Sequence, residues 1–324
     1  MNKTCSSGLP FSVIVAVCGL GAGLPVLAAE PTAAASSWQL RDKERVVLLG
    51  DALFEREGQL GFLEAGLVLA FPDADLEFRN LGWGGDTVWA DSRGVFDPPA
   101  QGYARMLALV EELAPDVVFV AYGRNESFAG ESRLPAFRRQ LAKLCDDLRG
   151  ARPEQTEDGP RLVLVTPSPF ERQPTCPDAE KRNAVLARYA AAIRETAIAA
   201  GAGLVDLFGN WPVTTGQDSS TTDGMHLSAA GYETAAGLFV AAADRQLPTG
   251  WATAAEPLRK RINAKNELFF HRWRPANETY LFLFRRHEQG NNAAEIPQFD
   301  PLVAKAEAAV RATRDSVTSP GQPQ

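Results

Sequence analysis

Short apolar runs alternate with stretches of helical spacing from residue 46 to residue 242, and this alternation constrains the fold more than any other feature. The apolar runs predict strands at residues 46–49, 76–80, 117–122, 162–166 and 204–206. Helical spacing predicts helices at residues 56–71, 103–113, 134–148, 179–200 and 229–242. Such alternation is typical of a parallel sheet with helices on both faces. The sequence therefore predicts an α/β fold with a central parallel sheet of about five strands.

Glycine-rich and polar blocks follow three of these strands directly. Residues 50–52 follow the first strand, residues 80–87 the second, and residues 123–126 the third. The carboxyl ends of parallel strands lie at one edge of a sheet, and α/β proteins bind ligands there. We therefore expect these three blocks to form one site.

A fourth block lies far downstream, where Asp223 precedes His226 by three residues. A histidine acts as a general base when its other ring nitrogen is oriented and its cation is stabilised, and an acid on a turn supplies both. Taken alone, the pair fits a helix cap beside a surface histidine better. The three other blocks favour the catalytic interpretation.

In this order, the four blocks resemble those of the SGNH (GDSL-type) hydrolases, a family of esterases and lipases. The resemblance covers about residues 45–245, and it implies a flavodoxin-like three-layer α/β/α fold. The family's first block is Gly-Asp-Ser, whose serine is the nucleophile, whereas this chain has Gly50, Asp51 and Ala52. The family's aspartate mainly organises the turn, and we expect the same of Asp51. The third block usually ends in Asn-Asp, and here Glu126 replaces the aspartate.

The resemblance also implies a role for each matching residue. Asp223 and His226 would form the catalytic pair. The oxyanion would be bound by the backbone N–H groups of Ala52 and Gly85 and by the side-chain amide of Asn125. An alanine keeps its backbone N–H, so all three donors remain. The nucleophile position has no hydroxyl, so the usual acyl-enzyme cannot form there.

Three explanations for Ala52 remain open. His226 could activate a water that occupies the vacated space. A substitute nucleophile could come from Thr87, Ser92 or Ser127, which lie in or near the blocks. The site could also bind without catalysis. We expect a hydrolase acting on carboxylic esters, including acyl or acetyl groups on carbohydrate. The alternative is a catalytically inactive module that binds glycan or cell-envelope ligands.

The N-terminus and the composition bear on location and partners. Residues 1–28 resemble a signal peptide, so we expect a secreted or periplasmic protein with no stable membrane insertion after cleavage. A net charge of −7 and a pI near 5.2 argue against nucleic-acid binding. The chain has only three histidines and no clustered ligands, so we expect no metal and no cofactor. The pairing of Cys145 with Cys176 and the oligomeric state remain open.

The remaining predictions concern domain organisation. We expect a flexible lead-in at residues 29–43, a hydrolase-like domain at 44–246, a linker at 247–257, a C-terminal extension packed on the core at 258–315, and a disordered tail at 316–324. The extension interleaves aromatic and basic residues, and we expect its arginines to pair with acids of the protein. A sharper hypothesis places Arg285, Arg286 or His287 near the pocket. Trp83 and Trp89 either pack in the protein or stack on sugar rings.

Overall fold

Five parallel strands form the centre of this computed structural model, which describes residues 35–151, 159–212, 219–288 and 292–318. The strands are β1 (Arg45–Gly50), β2 (Glu77–Gly82), β3 (Val117–Ala121), β4 (Arg161–Val165) and β5 (Gly203–Val205). Their order in the sheet is β2-β1-β3-β4-β5, and all neighbours are parallel. Helices lie on both faces, so the predicted three-layer α/β/α architecture is confirmed.

The helices follow the strands in regular alternation. Those of the described residues are α1 (Ala52–Leu60), α2 (Phe62–Ala70), α3 (Pro99–Leu113), α4 (Arg124–Ser127), α5 (Leu134–Gly150), α6 (Ala179–Ala199), α7 (Leu207–Asn210), α8 (Ala229–Ala242), α9 (Trp251–Ala254), α10 (Glu256–Trp273), α11 (Glu278–Leu281) and α12 (Phe299–Thr318). Short 3-10 helices lie at Asp91–Gly94, Glu131–Arg133, Arg286–Glu288 and Asn292–Gln298.

Alternate side chains of each strand enter two separate cores, as the pleat of a strand requires. Leu48 and Phe119 enter the core formed with α1, α2 and α8. Val47 and Val118 enter the core formed with α3, α5 and α6. All five residues of β3 are buried, which is typical of a central parallel strand covered on both faces.

The helix predicted at residues 56–71 is in fact two helices, because the chain turns at Gly61. Gly61 has a φ of 70°, in the left-handed region that favours glycine. The Glu57 carboxylate accepts the backbone N–H groups of residues 62–64 at 3.2, 2.7 and 3.1 Å. These are the first N–H groups of α2, so a side chain of one helix caps the next. Apolar spacing continues through the turn because both helices pack on the same core.

The segment before β1 packs against the β5 side of the sheet. Trp38 is only 6% exposed, and its ring lies 5.1 Å from the ring of Phe119. The Ser36 N–H donates to the carbonyl of Ala202 at 3.1 Å. The described part of residues 29–43 therefore differs from the flexible lead-in that was expected. Burial of the apolar indole surface stabilises this segment by more than the conformational entropy that it loses on becoming ordered. The predicted signal peptide lies outside the described residues.

Two other predicted irregular segments also contain ordered helix. The expected linker at residues 247–257 contains α9 and the start of α10, and its Trp251 ring packs 6.2 Å from the ring of Phe62. The expected disordered tail begins inside α12, which continues to Thr318. Residues 319–324 lie outside the described part of the chain.

The C-terminal helices are attached to the edge strand β2 by a buried charge cluster. The fully buried ammonium of Lys265 in α10 donates to Glu64 Oε1 at 2.5 Å and to the carbonyl of Phe78 at 3.2 Å. Arg79 of β2 pairs with Glu307 of α12 at 2.5 Å. These contacts cover the outer side of β2, where an edge strand would otherwise present unpaired backbone groups.

Cys145 and Cys176 are both buried free thiols and do not form a disulfide with each other. Among the helices of the described residues, none combines the length and the apolar character needed to cross a membrane.

Candidate active site

Backbone contacts at the strand ends hold the first two blocks together. A Cβ at position 50 would lie 2.4 Å from the carbonyl oxygen of Ala121, so the close approach of β1 and β3 requires Gly50. The N–H of Asp51 donates to that oxygen at 3.2 Å, and the N–H of Trp83 donates to the carbonyl of Gly50 at 2.9 Å. The two blocks therefore share one edge of the sheet.

Asp51 and Ala52 form the start of α1. The Asp51 carboxylate accepts the Leu53 N–H at 3.0 Å and caps the helix. The side chain is buried, and desolvation raises its pKa to about 6. Ala52 is the first residue of α1, and its N–H meets no acceptor among the described residues. A free N–H at a helix start attracts negative charge.

The second and third blocks meet through Asn125. Its side-chain Nδ2 donates to the carbonyl of Asp86 at 2.6 Å, directly after Gly85, whose φ of 76° favours glycine. The Asp86 carboxylate is fully buried and accepts Arg93 Nε at 2.6 Å and the Tyr122 hydroxyl at 3.1 Å. This buried pair anchors the loop that carries Gly85 and fixes it relative to Asn125.

Glu126, which departs from the family pattern, also holds the loops in place. Its carboxylate accepts the Val88 N–H at 2.7 Å and the Gly123 N–H at 2.8 Å. Only 3% of the residue is exposed, and burial raises its pKa to about 7. The extra methylene of glutamate, compared with aspartate, lets one side chain join the second block to the third.

Asp223 and His226 are joined through their side chains. His226 Nδ1 lies 2.6 Å from Asp223 Oδ2, while Asp223 Oδ1 accepts the backbone N–H groups of Met225 and His226 at 3.0 and 2.8 Å. Desolvation, the largest single cause, raises the pKa of Asp223, but the hydrogen bonds from the backbone and imidazole of His226 and from the Met225 N–H together lower it to about 2. The carboxylate therefore stays charged at neutral pH and orients the imidazole.

A small cavity joins the fourth block to the first. Its volume is about 20 Å³. It is lined by Asp51, Ala52, Leu53, Arg56, Arg124, Ser168, Met225, His226, Leu227 and Tyr232. Gly85 and Asn125 do not line this cavity. In the ranges that the structure describes, no group of three or more His, Cys, Asp or Glu side chains is arranged to hold a metal ion.

The three hydroxyls expected as substitute nucleophiles do not line the cavity. Thr87 donates to Asp91 at 2.5 Å, and Ser127 donates to the carbonyl of Arg124 at 2.6 Å. The backbone N–H of Ser92 donates to Asp86. Ser168 lines the cavity instead.

The C-terminal extension reaches the second block through aromatic and basic side chains. Trp83 packs on Trp273 at 5.8 Å, and the Arg274 guanidinium lies 3.6 Å above the Trp83 ring. Arg274 also pairs with Glu55 of α1 at 2.7 Å. Arg285, in contrast, pairs with Glu288. The contact with the second block therefore comes from the end of α10 rather than from the predicted basic triplet.

Comparison with known proteins agrees with this arrangement. The model of the GDSL-like lipase/acylhydrolase family matches residues 48–234, more than half of the chain. The chain belongs to this family. The match confirms a hydrolase that acts on ester bonds, and it spans all four blocks. No curated protein matches the chain.

Solved structures similar to this chain include an esterase and a hydrolase. A catalytic serine-to-alanine mutant of Axe2, an acetylxylan esterase from Geobacillus stearothermophilus, is 17% identical with a TM-score of 0.50, over 64% of this chain and 96% of that one. LAE5, an alpha/beta hydrolase enzyme from the metagenome of Lake Arreo, is 21% identical with a TM-score of 0.49, over 63% of this chain and 97% of that one.

Sequence reasoning missed three residues of this GDSL-like site. Arg124 lies within the third block but was not predicted to line the site, and no role was predicted for Ser168 or Asp86. Ser168 follows β4 by three residues, so the rule that placed the other blocks at strand ends could have identified it. Nothing local marks Asp86 as a buried anchor, since its partner Arg93 is brought to it by the fold.

Proposed function

We propose that this chain hydrolyses carboxylic esters by direct attack of water, with His226 as the general base. The observation that carries the proposal is the cavity of about 20 Å³ that Ala52 and His226 share. A cavity of about 10–15 Å³ on this measure is enough to hold one water. A water therefore fits where the family's serine side chain would extend.

The residues then divide the chemistry between them. His226 uses Nδ1 to contact Asp223, which leaves Nε2 to take a proton from the water. The resulting hydroxide attacks the ester carbonyl carbon and produces a tetrahedral anion. The N–H groups of Ala52 and Gly85 and the amide of Asn125 stabilise that anion. His226 returns the proton to the leaving alcohol oxygen as the C–O bond breaks, and the carboxylic acid is released.

We propose acyl or acetyl groups on carbohydrate as the substrate class. A cleft of about 630 Å³ lies between α1 and α10, beside the second block. Glu55, Asn80, Asn263 and Phe270 line it and supply acceptors, amide donors and one aromatic face. Pockets of about 300–1,000 Å³ hold small organic ligands. Axe2, which shares the fold, is an acetylxylan esterase. The proposal also places the protein outside the cytoplasm, after removal of residues 1–28.

The proposal is tested by two changes at the cavity. Purified wild type, His226→Ala, Ala52→Ser and the double variant are assayed with 4-nitrophenyl acetate and with acetylated xylo-oligosaccharides. We expect His226→Ala to lower kcat by about 10²- to 10⁴-fold, the usual contribution of a general base. We expect Ala52→Ser to raise the rate, because it restores a nucleophile to otherwise complete machinery. The double variant should lose that gain.

The competing function is ligand binding without catalysis, which the missing hydroxyl of Ala52 favours. It predicts that wild type and His226→Ala both remain at the buffer rate with both substrates. A rate gain in Ala52→Ser alone, with wild type inactive, would also support the binding function, since the machinery would be intact but unused.

A further inference from the structure

Two arginines line the cavity at Ala52. Arg56 comes from the second turn of α1, and Arg124 comes from the third block. In the part of the chain that the structure describes, neither guanidinium has a carboxylate partner within 4.0 Å. Two guanidiniums without a carboxylate partner, lining one small cavity, can bind an anionic group.

The Arg124 guanidinium is hydrogen-bonded through Nη2 and has no partner at Nη1 among the described residues. Its Nη2 donates to the carbonyl and to the hydroxyl of Ser168 at 2.5 and 2.6 Å. Its guanidinium lies 5.1 Å from the ring of Phe170. Its Nη1 is buried and has no hydrogen-bond partner among the described residues. A buried donor without a partner is costly, and a fixed arginine fork matches the planar geometry of a carboxylate.

The charge balance of the cavity is positive. Asp51 is the single carboxylate among its lining residues in the described chain, and its charge acts on Arg124, so it offsets only one of the two guanidinium charges. Asp223 lies nearby but is bonded to His226. The free N–H of Ala52, at the start of the nine-residue helix α1, adds a further partial positive charge. An arginine stays protonated in proteins, so this excess persists at all physiological pH values.

We propose that Arg56 and Arg124 bind a carboxylate on the substrate, so that the preferred substrate is an ester that carries a negative charge close to the scissile bond. The preference for a charged ester rests on the proposed function. Binding of a carboxylate by the two arginines does not, and a carboxylate that carries no ester tests it separately. The cavity of about 20 Å³ holds the attacking water of the proposed function, so the carboxylate contacts the two guanidiniums that line the cavity rather than filling it.

The test compares a charged probe with a neutral probe of the same shape. Hydrolysis of 4-acetoxybenzoate and 4-acetoxybenzamide is followed by absorbance, and binding of benzoate and benzamide is measured by calorimetry. In the wild type we expect kcat/KM to be at least tenfold higher for 4-acetoxybenzoate, mainly through KM. We expect benzoate to bind at least tenfold more tightly than benzamide.

The arginines are then removed one at a time. Arg56→Gln and Arg124→Gln should each reduce both ratios toward one, and Arg124→Lys should keep part of the preference. Arg139→Gln changes an exposed arginine of α5 and should leave both ratios unchanged. If Arg124→Gln fails to fold because Ser168 loses its donor, Arg56→Gln still decides the question.

The outcomes separate this inference from the proposed function. Equal turnover of both esters, with no benzoate preference, overturns the carboxylate site and leaves ester hydrolysis standing. Arginine-dependent binding of benzoate without turnover of either ester supports the carboxylate site and overturns the hydrolytic proposal. A wild-type preference that Arg56→Gln and Arg124→Gln both retain overturns the assignment to these arginines.

Discussion

Ala52 keeps what the backbone contributes to a GDSL-like site and loses what the serine side chain contributes. Its N–H still begins α1 beside the cavity, because Asp51 caps the helix through the Leu53 N–H. The contact between Asp223 and His226 also has ordinary hydrogen-bond geometry, with 2.6 Å between Nδ1 and Oδ2. The chain therefore lacks the family's serine hydroxyl and keeps the aspartate and histidine that match the family's catalytic pair.

Asp223→Asn tests the proposed role of Asp223 in orienting His226. An amide cannot stabilise the imidazolium, and it favours the wrong ring tautomer, so we expect kcat to fall by roughly 10²- to 10⁴-fold with little change in KM. Steady-state kinetics on 4-nitrophenyl acetate measures this. A fall confined to KM would contradict an orienting role for Asp223.

The free energy of unfolding of the same variant should also differ from that of the wild type in its dependence on pH. The pKa of Asp223 is lowered from 3.8 to about 2, so its stabilising contribution is complete above pH 4 and is lost as the pH falls toward 2. Urea unfolding should therefore show wild type more stable than Asp223→Asn at pH 6, with a smaller gap at pH 3. A gap that widens on acidification would contradict the lowered pKa.

The helices around the site depend on single turns that set their direction. α1 carries Ala52 at its start, and it ends at Gly61, where α2 begins. Glu57 bridges the turn by accepting N–H groups of α2. Because α2 and α8 pack together on the core that includes Phe54, the direction of α1 and hence the position of Ala52 depend on this turn.

Gly61→Ala tests the turn against a second glycine. The new Cβ would adopt a φ of 70° and lie 2.5 Å from Asn263 Oδ1. We expect a loss of about 1–2 kcal/mol in the free energy of unfolding. Gly237→Ala, in the middle of α8 with open space where the new Cβ would lie, should instead stabilise by about 0.5–1 kcal/mol. Urea unfolding of both variants measures the difference, and equal effects would count against the strain argument.

At the scale of the whole molecule, the C-terminal helices pack on the domain that the family model matches. α10 covers the edge strand β2 through Lys265, and α12 adds Glu307 to the same cluster. The end of α10 also contacts Trp83 through Trp273 and Arg274. The family match stops at residue 234, yet these contacts join the later residues to both the sheet and the second block.

Lys265→Met, compared with Lys260→Met, tests this attachment. Removing the buried ammonium leaves Glu64, whose pKa burial already raises, without its main partner. We expect a loss of about 3–5 kcal/mol in the free energy of unfolding. Lys260 forms an exposed pair with Glu256 in the same helix, and its change should cost less than about 1 kcal/mol. Unfolding followed by tryptophan fluorescence should show one transition, and similar losses in both variants would contradict the buried cluster.

Local patterns account for the parts of this protein that were predictable. Continuous apolar runs marked the strands because a central parallel strand is covered on both faces, and all five predicted strands are present. The blocks at the strand ends could be placed on one edge because parallel strands share their direction. The pair of Asp223 and His226 also lies within one turn of chain, so its spacing was visible in the sequence.

Contacts between distant residues were decided only by the tertiary structure. Arg124 meets Ser168 across 44 residues, and Arg274 meets Glu55 across 219. Neither partner is marked by local periodicity, because a guanidinium on a helix or loop pairs equally well with solvent until packing removes the water. Trp38 was assigned to a flexible lead-in and Trp251 to a linker for the same reason, since their burial depends on surfaces formed by the sheet and by α2. The sequence by itself determined which groups are candidates for the chemistry, because they lie in local blocks, and packing determined which of them line one cavity, because that depends on contacts between distant residues.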